Sequence, residues 1–160
     1  MKPKLPFTPL QKLWELLAAL LLAALIAFLL MEWPRLPQNI PTHYNGAGQP
    51  DAWGGKGSLA ALAAVVVMMY AMLTAVTFLP AIWNLSVRTT EENRQRVYTQ
   101  TKTMLCWTKL VIVAVFCYIT FCSARVLPLG TLFLPVTLGA VFGGILVQIW
   151  RMVISAKSSR

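Results

Sequence analysis

The residues able to do chemistry are gathered in one short polar stretch. Between Trp33 and Lys56 the chain reads WPRLPQNIPTHYNGAGQPDAWGGK, which holds the only histidine, His43, together with Asn45 and Asp51. An imidazole that titrates near neutral pH can serve as an acid, a base or a metal ligand. Asn45 and Asp51 supply oxygens, and Glu32 stands just ahead of the stretch. The order Asn-Gly-x-Gly-x-x-Asp loosely resembles a calcium loop, but the EF-hand spacing and its terminal Glu are missing. A zinc hydrolase needs three ligands and a base, more than one histidine and one or two carboxylates provide. No H-x-x-x-H, G-x-S-x-G or phosphate-cradling glycine loop occurs anywhere in the chain. The expectation is therefore a protein that is not an enzyme and has no metal or cofactor. Two readings of the stretch stay open. In one, His43, Asn45 and Asp51, with Tyr44 and Trp53 beside them, contact a ligand. In the other, His43 bonds a loop carbonyl or Asp51, and Asn45 and Asp51 make turns.

The backbone of this stretch is stiff by composition. Pro34, Pro37, Pro41 and Pro50 each fix φ and disfavour helix at the preceding residue, so residues 31–40 are expected to leave the helix and run extended. Asn45-Gly46 favours a tight turn. Ser58 is placed to cap a following helix, Ile40 to tuck downward, and Trp33 and Trp53 to sit at a membrane interface. The expected object is a small ordered cap.

The elements flanking that cap are apolar. With 58% hydrophobic and 12% charged residues and a mean hydropathy of +0.65, the chain is too apolar for a soluble domain of this size. Four stretches, about 13–31, 58–83, 105–127 and 131–154, each approach the roughly 20 residues that cross a bilayer. The fold class expected is an all-α membrane protein, a single membrane domain over 1–160 with four transmembrane helices in an antiparallel bundle and an ordered loop at 32–57. Glu15, Lys109 and Arg125 fall toward the ends of their stretches, where long side chains can reach the headgroups. On that reading no ionisable group lies at mid-span. The first stretch follows a positively charged start as a signal peptide would, but it is too long, and Glu32-Trp33-Pro34 is a poor cleavage site, so it should stay as a span.

Positive charge orients the chain. Lys2, Lys4, Lys12, Arg88, Arg94, Arg96, Lys102, Lys109, Arg151, Lys157 and Arg160 fall at the termini and between the second and third stretches, whereas Arg35, Lys56 and Arg125 fall on the other side. Both termini are then cytoplasmic and the 32–57 loop is outside. The net charge of +9 is accounted for by this bias and by anionic headgroups, so no nucleic-acid partner is expected. Membrane lipids are the expected partners. Arg94, Arg96 and Lys102, with Tyr98, can meet anionic lipid or a cytoplasmic partner; the alternative is a solvated basic face.

Small residues four apart suggest packing faces: Ala19, Ala23 and Ala27 on the first span, Ala60 with Ala64 and Ala71 with Ala75 on the second, and Gly139 with Gly143 and Ala140 with Gly144 on the fourth. These suit a compact bundle, and also a homo-oligomer or another membrane protein as partner. Thr89-Thr90-Glu91-Glu92 has capping-box spacing, which starts a cytoplasmic helix running into the third span. Pro128-Leu129-Gly130 joins the third and fourth spans as neighbours. Cys106, Cys117 and Cys122 form neither a disulfide framework nor a metal pattern and read as small packing residues.

The loop also carries a longer pattern, W-P-x-L-P-x-x-I-P-x-H-[YF]-N-x-x-G-x-x-D-x-W-G-x-K. It is matched by Trp33, Pro34, Leu36, Pro37, Ile40, Pro41, His43, Tyr44, Asn45, Gly48, Asp51, Trp53, Gly54 and Lys56. This resembles the signature of bacterial domain of unknown function 1648, found in SdpI-like membrane proteins, over about residues 10–80. The resemblance implies a bacterial cytoplasmic-membrane protein, in a family named for an immunity protein that protects a toxin-producing cell and signals to a repressor. Its outer loop would meet an extracellular peptide, toxin or envelope component. A structural or accessory subunit of a larger membrane complex is the other expectation.

Overall fold

The computed structural model describes residues 5–85, 87 and 89–157. Of the basic residues used to orient the chain, Lys2, Lys4, Arg88 and Arg160 lie outside the described residues. The elements follow as α1 (Pro9–Glu32), a 3-10 turn (Trp33–Arg35), β1 (Asn39–Tyr44), β2 (Pro50–Gly55), α2 (Gly57–Phe78), a 3-10 turn (Pro80–Ile82), α3 (Arg94–Arg125), α4 (Phe133–Leu138), a π turn (Gly139–Gly143) and α5 (Gly144–Lys157). Among the described residues four helical stretches are long and apolar enough to cross a membrane: Pro9–Arg35, Gly57–Phe78, Arg94–Arg125 and Phe133–Ile154.

Helix ends follow local chemistry. Thr8 and Gln11 bond each other's backbone N–H in a capping box, with Pro9 as the first helical residue. Pro34 does not break the chain out at once, because a 3-10 turn continues α1 to Arg35 and extended backbone begins only at Leu36, before Pro37. α2 stops at Phe78, since Leu79 precedes Pro80. Ser58 does not cap α2: Lys56 holds that position, and the Ser58 hydroxyl donates to the Gly55 carbonyl at 2.5 Å. The box that precedes α3 is one residue later than its spacing suggested. Thr90 and Asn93 bond reciprocally, at 2.8 and 3.3 Å, while Glu92 stays exposed. α3 closes on Val126, left-handed at φ 56°, with Leu127 N–H donating to Cys122 O at 2.8 Å and Pro128 following.

α3 is the hub. It packs on α1, α2 and α5, whereas α1 and α2 touch each other little. Gln11 meets Thr103, Glu15 meets Lys109, Leu21 meets Cys117 and Glu32 meets Arg125, so α1 runs beside α3 in the same direction. α2 runs opposite to α3, with Thr74 against Lys109 and Phe78 beside Lys102. So does α5, with Asn93 reaching Ala156. At 32 residues α3 is about 48 Å long, more than hydrocarbon alone requires, so one end projects. Trp107 from α3 fills the space over Gly144, where any Cβ would collide with its indole, and donates to the π-turn carbonyl of Ala140 at 3.2 Å.

The small-residue faces of α1 and α2 are not where the helices meet, whereas Ala140 and Gly144 of the fourth span do face Trp107 of α3. Ala19, Ala23, Ala27, Ala60, Ala64, Ala71 and Ala75 are all exposed. α1 turns Gln11, Ala18, Leu25 and Leu29 inward instead, and α2 turns Leu59, Val66 and Thr77. Spacings of seven and four put these on one stripe, and larger side chains fill the core better than a column of alanines.

The chain is not all helix: β1 and β2 form an antiparallel hairpin pairing Asn39 with Gly55 and Tyr44 with Pro50, irregular around His43. Leu36 and Ile40 drop from the hairpin end into a core cluster with Leu25, Leu29, Leu59, Val66, Val113 and Ala124. Ile40 is 1% exposed, a burial that stabilises by about 1.5–3 kcal/mol. The cap is thus seated in the same core that binds the three helices.

Candidate functional site

The cap divides its residues between building and display. Asn45 builds: its side-chain oxygen accepts from the backbone N–H of Ala47 and of Gln49, each at 3.0 Å, and its carbonyl accepts from Gly48 at 2.8 Å. Gly48 has φ +73° and is buried against Gly130, so a side chain there would be strained and would overlap the Gly130 carbonyl oxygen. Leu129 N–H donates to Gly48 O at 2.8 Å, docking the hairpin turn on the α3–α4 connection. Tyr44 anchors the other side. Its hydroxyl donates to Leu127 O at 3.2 Å and lies 3.1 Å from Ser123 Oγ. Burial pushes the Tyr44 phenol above its ordinary pKa, outweighing the Ser123 bond, with Cys122 adding a smaller push upward.

His43, Asp51 and Trp53 are displayed. His43 Nδ1 sits 2.5 Å from Asp51 Oδ1 across the hairpin, with both side chains exposed. A carboxylate on Nδ1–H leaves Nε2 facing solvent as the imidazole's other hydrogen-bonding atom. Trp53 is 50% exposed. The histidine–aspartate bond is one of the two arrangements open from sequence, and Asn45, though exposed, spends its side-chain oxygen on the turn. Among the described residues no three His, Cys, Asp or Glu side chains converge on a metal-sized site.

The two ends of the polar stretch close on each other. Lys56 Nζ lies 5.5 Å over the Trp33 ring and 3.5 Å from its carbonyl oxygen. Beside them Glu32 holds Arg125 at 3.4 Å and Arg35 at 3.7 Å. Arg125 is therefore a clasp between α3 and α1, as well as a residue at the end of its span.

A second cluster lies inside the helices, where sequence reasoning placed none. Lys109 is fully buried midway along α3, and its ammonium donates to Glu15 Oε2 at 2.6 Å and Thr74 Oγ1 at 2.9 Å, with the Tyr70 ring 5.0 Å away. It does not snorkel, and Glu15 does not turn to the headgroups. The physical reason is mutual: an ion pair with a hydroxyl and a ring face to complete its shell is cheaper to keep inside than either charge alone. Gln11 extends the cluster, donating from its amide to Thr103 Oγ1 at 2.8 Å and Thr99 O at 3.2 Å. The second Glu15 oxygen, Oε1, is sealed from solvent and has no hydrogen-bond partner among the described residues. The available signal was periodicity: Gln11 and Glu15 are four apart and Lys102 and Lys109 seven apart, so each pair shares a helix face.

The basic trio is dispersed. Lys102 is 4% exposed, donating to Leu5 O at 2.8 Å beneath the Phe7 ring. Arg94 pairs with Glu91 at 3.3 Å. Arg96 alone of the three is fully on the surface. Lys102 is thus a packing residue and not a docking cation, because the segment ahead of α1 folds over it.

No curated protein and no solved structure matches the chain. The four apolar helices and the family comparison together describe a multi-pass membrane protein whose residues 19–69, most of α1, the whole cap and the first half of α2, match the model of a domain of unknown function, DUF1648.

Proposed function

We propose that this chain is a non-enzymatic recognition protein of a bacterial cytoplasmic membrane, with the cap outside and both termini inside, and that the cap reads an extracellular peptide, toxin or envelope component. The carrying observation is the division of labour in the cap. Asn45, Gly48 and Tyr44 are committed to holding it, while His43, Asp51 and Trp53 stand exposed on a rigid scaffold. Rigid display of a polar pair beside an aromatic suits recognition, since little ordering entropy is left to lose on binding. The positive-inside bias supports the orientation. The cap's bonds to the end of α3 support a signalling role, because α3 continues through the bundle to the basic end that carries Arg94 and Arg96. Immunity to a secreted toxin, which the SdpI-like resemblance implies, is one setting for such a protein.

The test is a photo-crosslinking side chain at Trp53 in intact cells. A discrete adduct that His43→Ala and Asp51→Ala abolish at unchanged protein level supports the reading. Absence of any adduct, or adducts indifferent to both substitutions, rejects it.

The exposed alanine faces of α1 and α2 favour a second reading, an accessory subunit docked through Ala19, Ala23 and Ala27 on a partner helix. Purification in mild detergent separates the two: a stoichiometric larger partner supports docking, and a monomer eluting alone rejects it.

A further inference from the structure

Because α1 and α2 each pack on α3 more than on one another, a groove of about 400 Å³ opens between their cap-side halves. It is lined by Ile26, Leu29, Leu30 and Trp33 from α1 and by Ala60 and Ala63 from α2. The hollow arises from the two alanines, which leave empty the space that longer side chains would fill opposite the α1 residues. Leu30 is 73% exposed on its rim, so the groove faces hydrocarbon. Every lining residue falls inside the 19–69 segment that the family model matches.

The mouth of the groove has a different character. Lys56 stands over Trp33 there, and among the described residues its ammonium, with three donors, has a single hydrogen bond of 3.5 Å to the Trp33 carbonyl. Immediately after Lys56 comes the start of α2, a 22-residue helix with no side-chain cap and no acidic residue in its first turn. The backbone N–H groups of that turn carry the positive end of the helix dipole. An ammonium short of acceptors and an uncapped helix start therefore meet at headgroup depth, directly above an apolar groove.

We propose that this groove holds an acyl chain of an anionic phospholipid from the cap-side leaflet, with Lys56 and the first turn of α2 holding its phosphate. The apolar hollow takes the chain, and the cationic mouth selects the headgroup. Charge-assisted hydrogen bonds hold the phosphate, and net charge makes the selection, because a zwitterionic headgroup brings a second cation against Lys56 and the positive helix end.

The experiment uses the full-length protein in mild detergent, incubated with phosphatidylglycerol or phosphatidylcholine micelles and washed, with retained lipid measured by native mass spectrometry. The expected result is one phosphatidylglycerol per chain, retained about tenfold over phosphatidylcholine, whose choline cation is repelled by the Lys56 ammonium. Lys56→Gln should remove that preference and Lys56→Arg should keep it. Ala60→Leu with Ala63→Leu should displace both lipids by filling the groove while Lys56 remains. Equal retention of the two lipids by the unaltered protein, or retention indifferent to Lys56→Gln, would mean ordinary boundary lipid and overturn the proposal. Competition by inorganic phosphate at equal concentration would also overturn it, since the site would then recognise phosphate without the chain. If the leucine pair fails to fold, the comparison of Lys56→Gln with Lys56→Arg still decides, because both sit at the groove mouth and leave the packing of α1 and α2 on α3 intact.

Discussion

Lys109 Nζ lies 2.6 Å from Glu15 Oε2, and this contact joins the third helix to the first inside the apolar body of the protein. Thr74 adds the second helix to the same ammonium. Three helices are thus tied to one charge.

Removing one member of that pair strands the other. Lys109→Met or Glu15→Gln alone should destabilise the protein by roughly 3–5 kcal/mol, as for other buried pairs broken on one side. The double substitution should recover much of the loss. Unfolding in mixed micelles measures all three variants; single variants as stable as the parent would show that the pair has no role in holding the helices.

Gly48 and Gly46 make a matched comparison within one turn. Gly48→Ala meets both a positive φ and the Gly130 carbonyl, whereas nothing lies within 4 Å of a Cβ at Gly46. Gly48→Ala should destabilise the docked cap by about 1–3 kcal/mol and Gly46→Ala by little. Limited proteolysis of the cap is the readout, and equal cleavage of the two variants would contradict the docking geometry.

Tyr44 carries a pH dependence whose sign is set by its raised pKa. Burial favours the neutral phenol, so its contribution to cap stability is fully present below the ordinary tyrosine pKa of about 10 and is lost as pH rises through the higher folded value. Phenolate absorbance should show a late-titrating component that is reduced in Tyr44→Phe. That variant should also cost about 1 kcal/mol through the lost bond to Leu127.

His43→Ala, Asp51→Ala and Trp53→Ala should each leave stability within about 0.5 kcal/mol of the parent, since all three are exposed. Thermal melting tests this beside the crosslinking assay. A large loss of stability from any of them would make the displayed surface structural.

How far these features can be read from residue order varies with their range. Pro37, the Asn45-Gly46 turn and the Thr8-Gln11 box act within a few residues, and the ordered cap and the start of α1 follow from them. The hairpin pairing and the inward face of α1 do not. Ala19, Ala23 and Ala27 make as good a packing stripe on paper as Gln11, Ala18 and Leu25, and only the position of α3 selects between them. In the candidate site, the exposed His43–Asp51 bond was one of two arrangements visible in the sequence, while the anchoring by Tyr44 and the clasp of Lys56 on Trp33 join residues whose partners lie 79 or more and 23 positions away.

Apolar length, positive-charge bias and proline and glycine placement by themselves determined a membrane protein of four apolar helices with a stiff polar cap between the first two. Those properties depend on composition along the chain and on transfer between water and hydrocarbon, which neighbours in space do little to change. Tertiary structure alone decided which charges face inward. A lysine near a span's entry reaches for the headgroups unless a carboxylate and a hydroxyl from two other helices arrive to complete its shell, and Glu15 and Thr74 do so only once α1 and α2 have packed on α3.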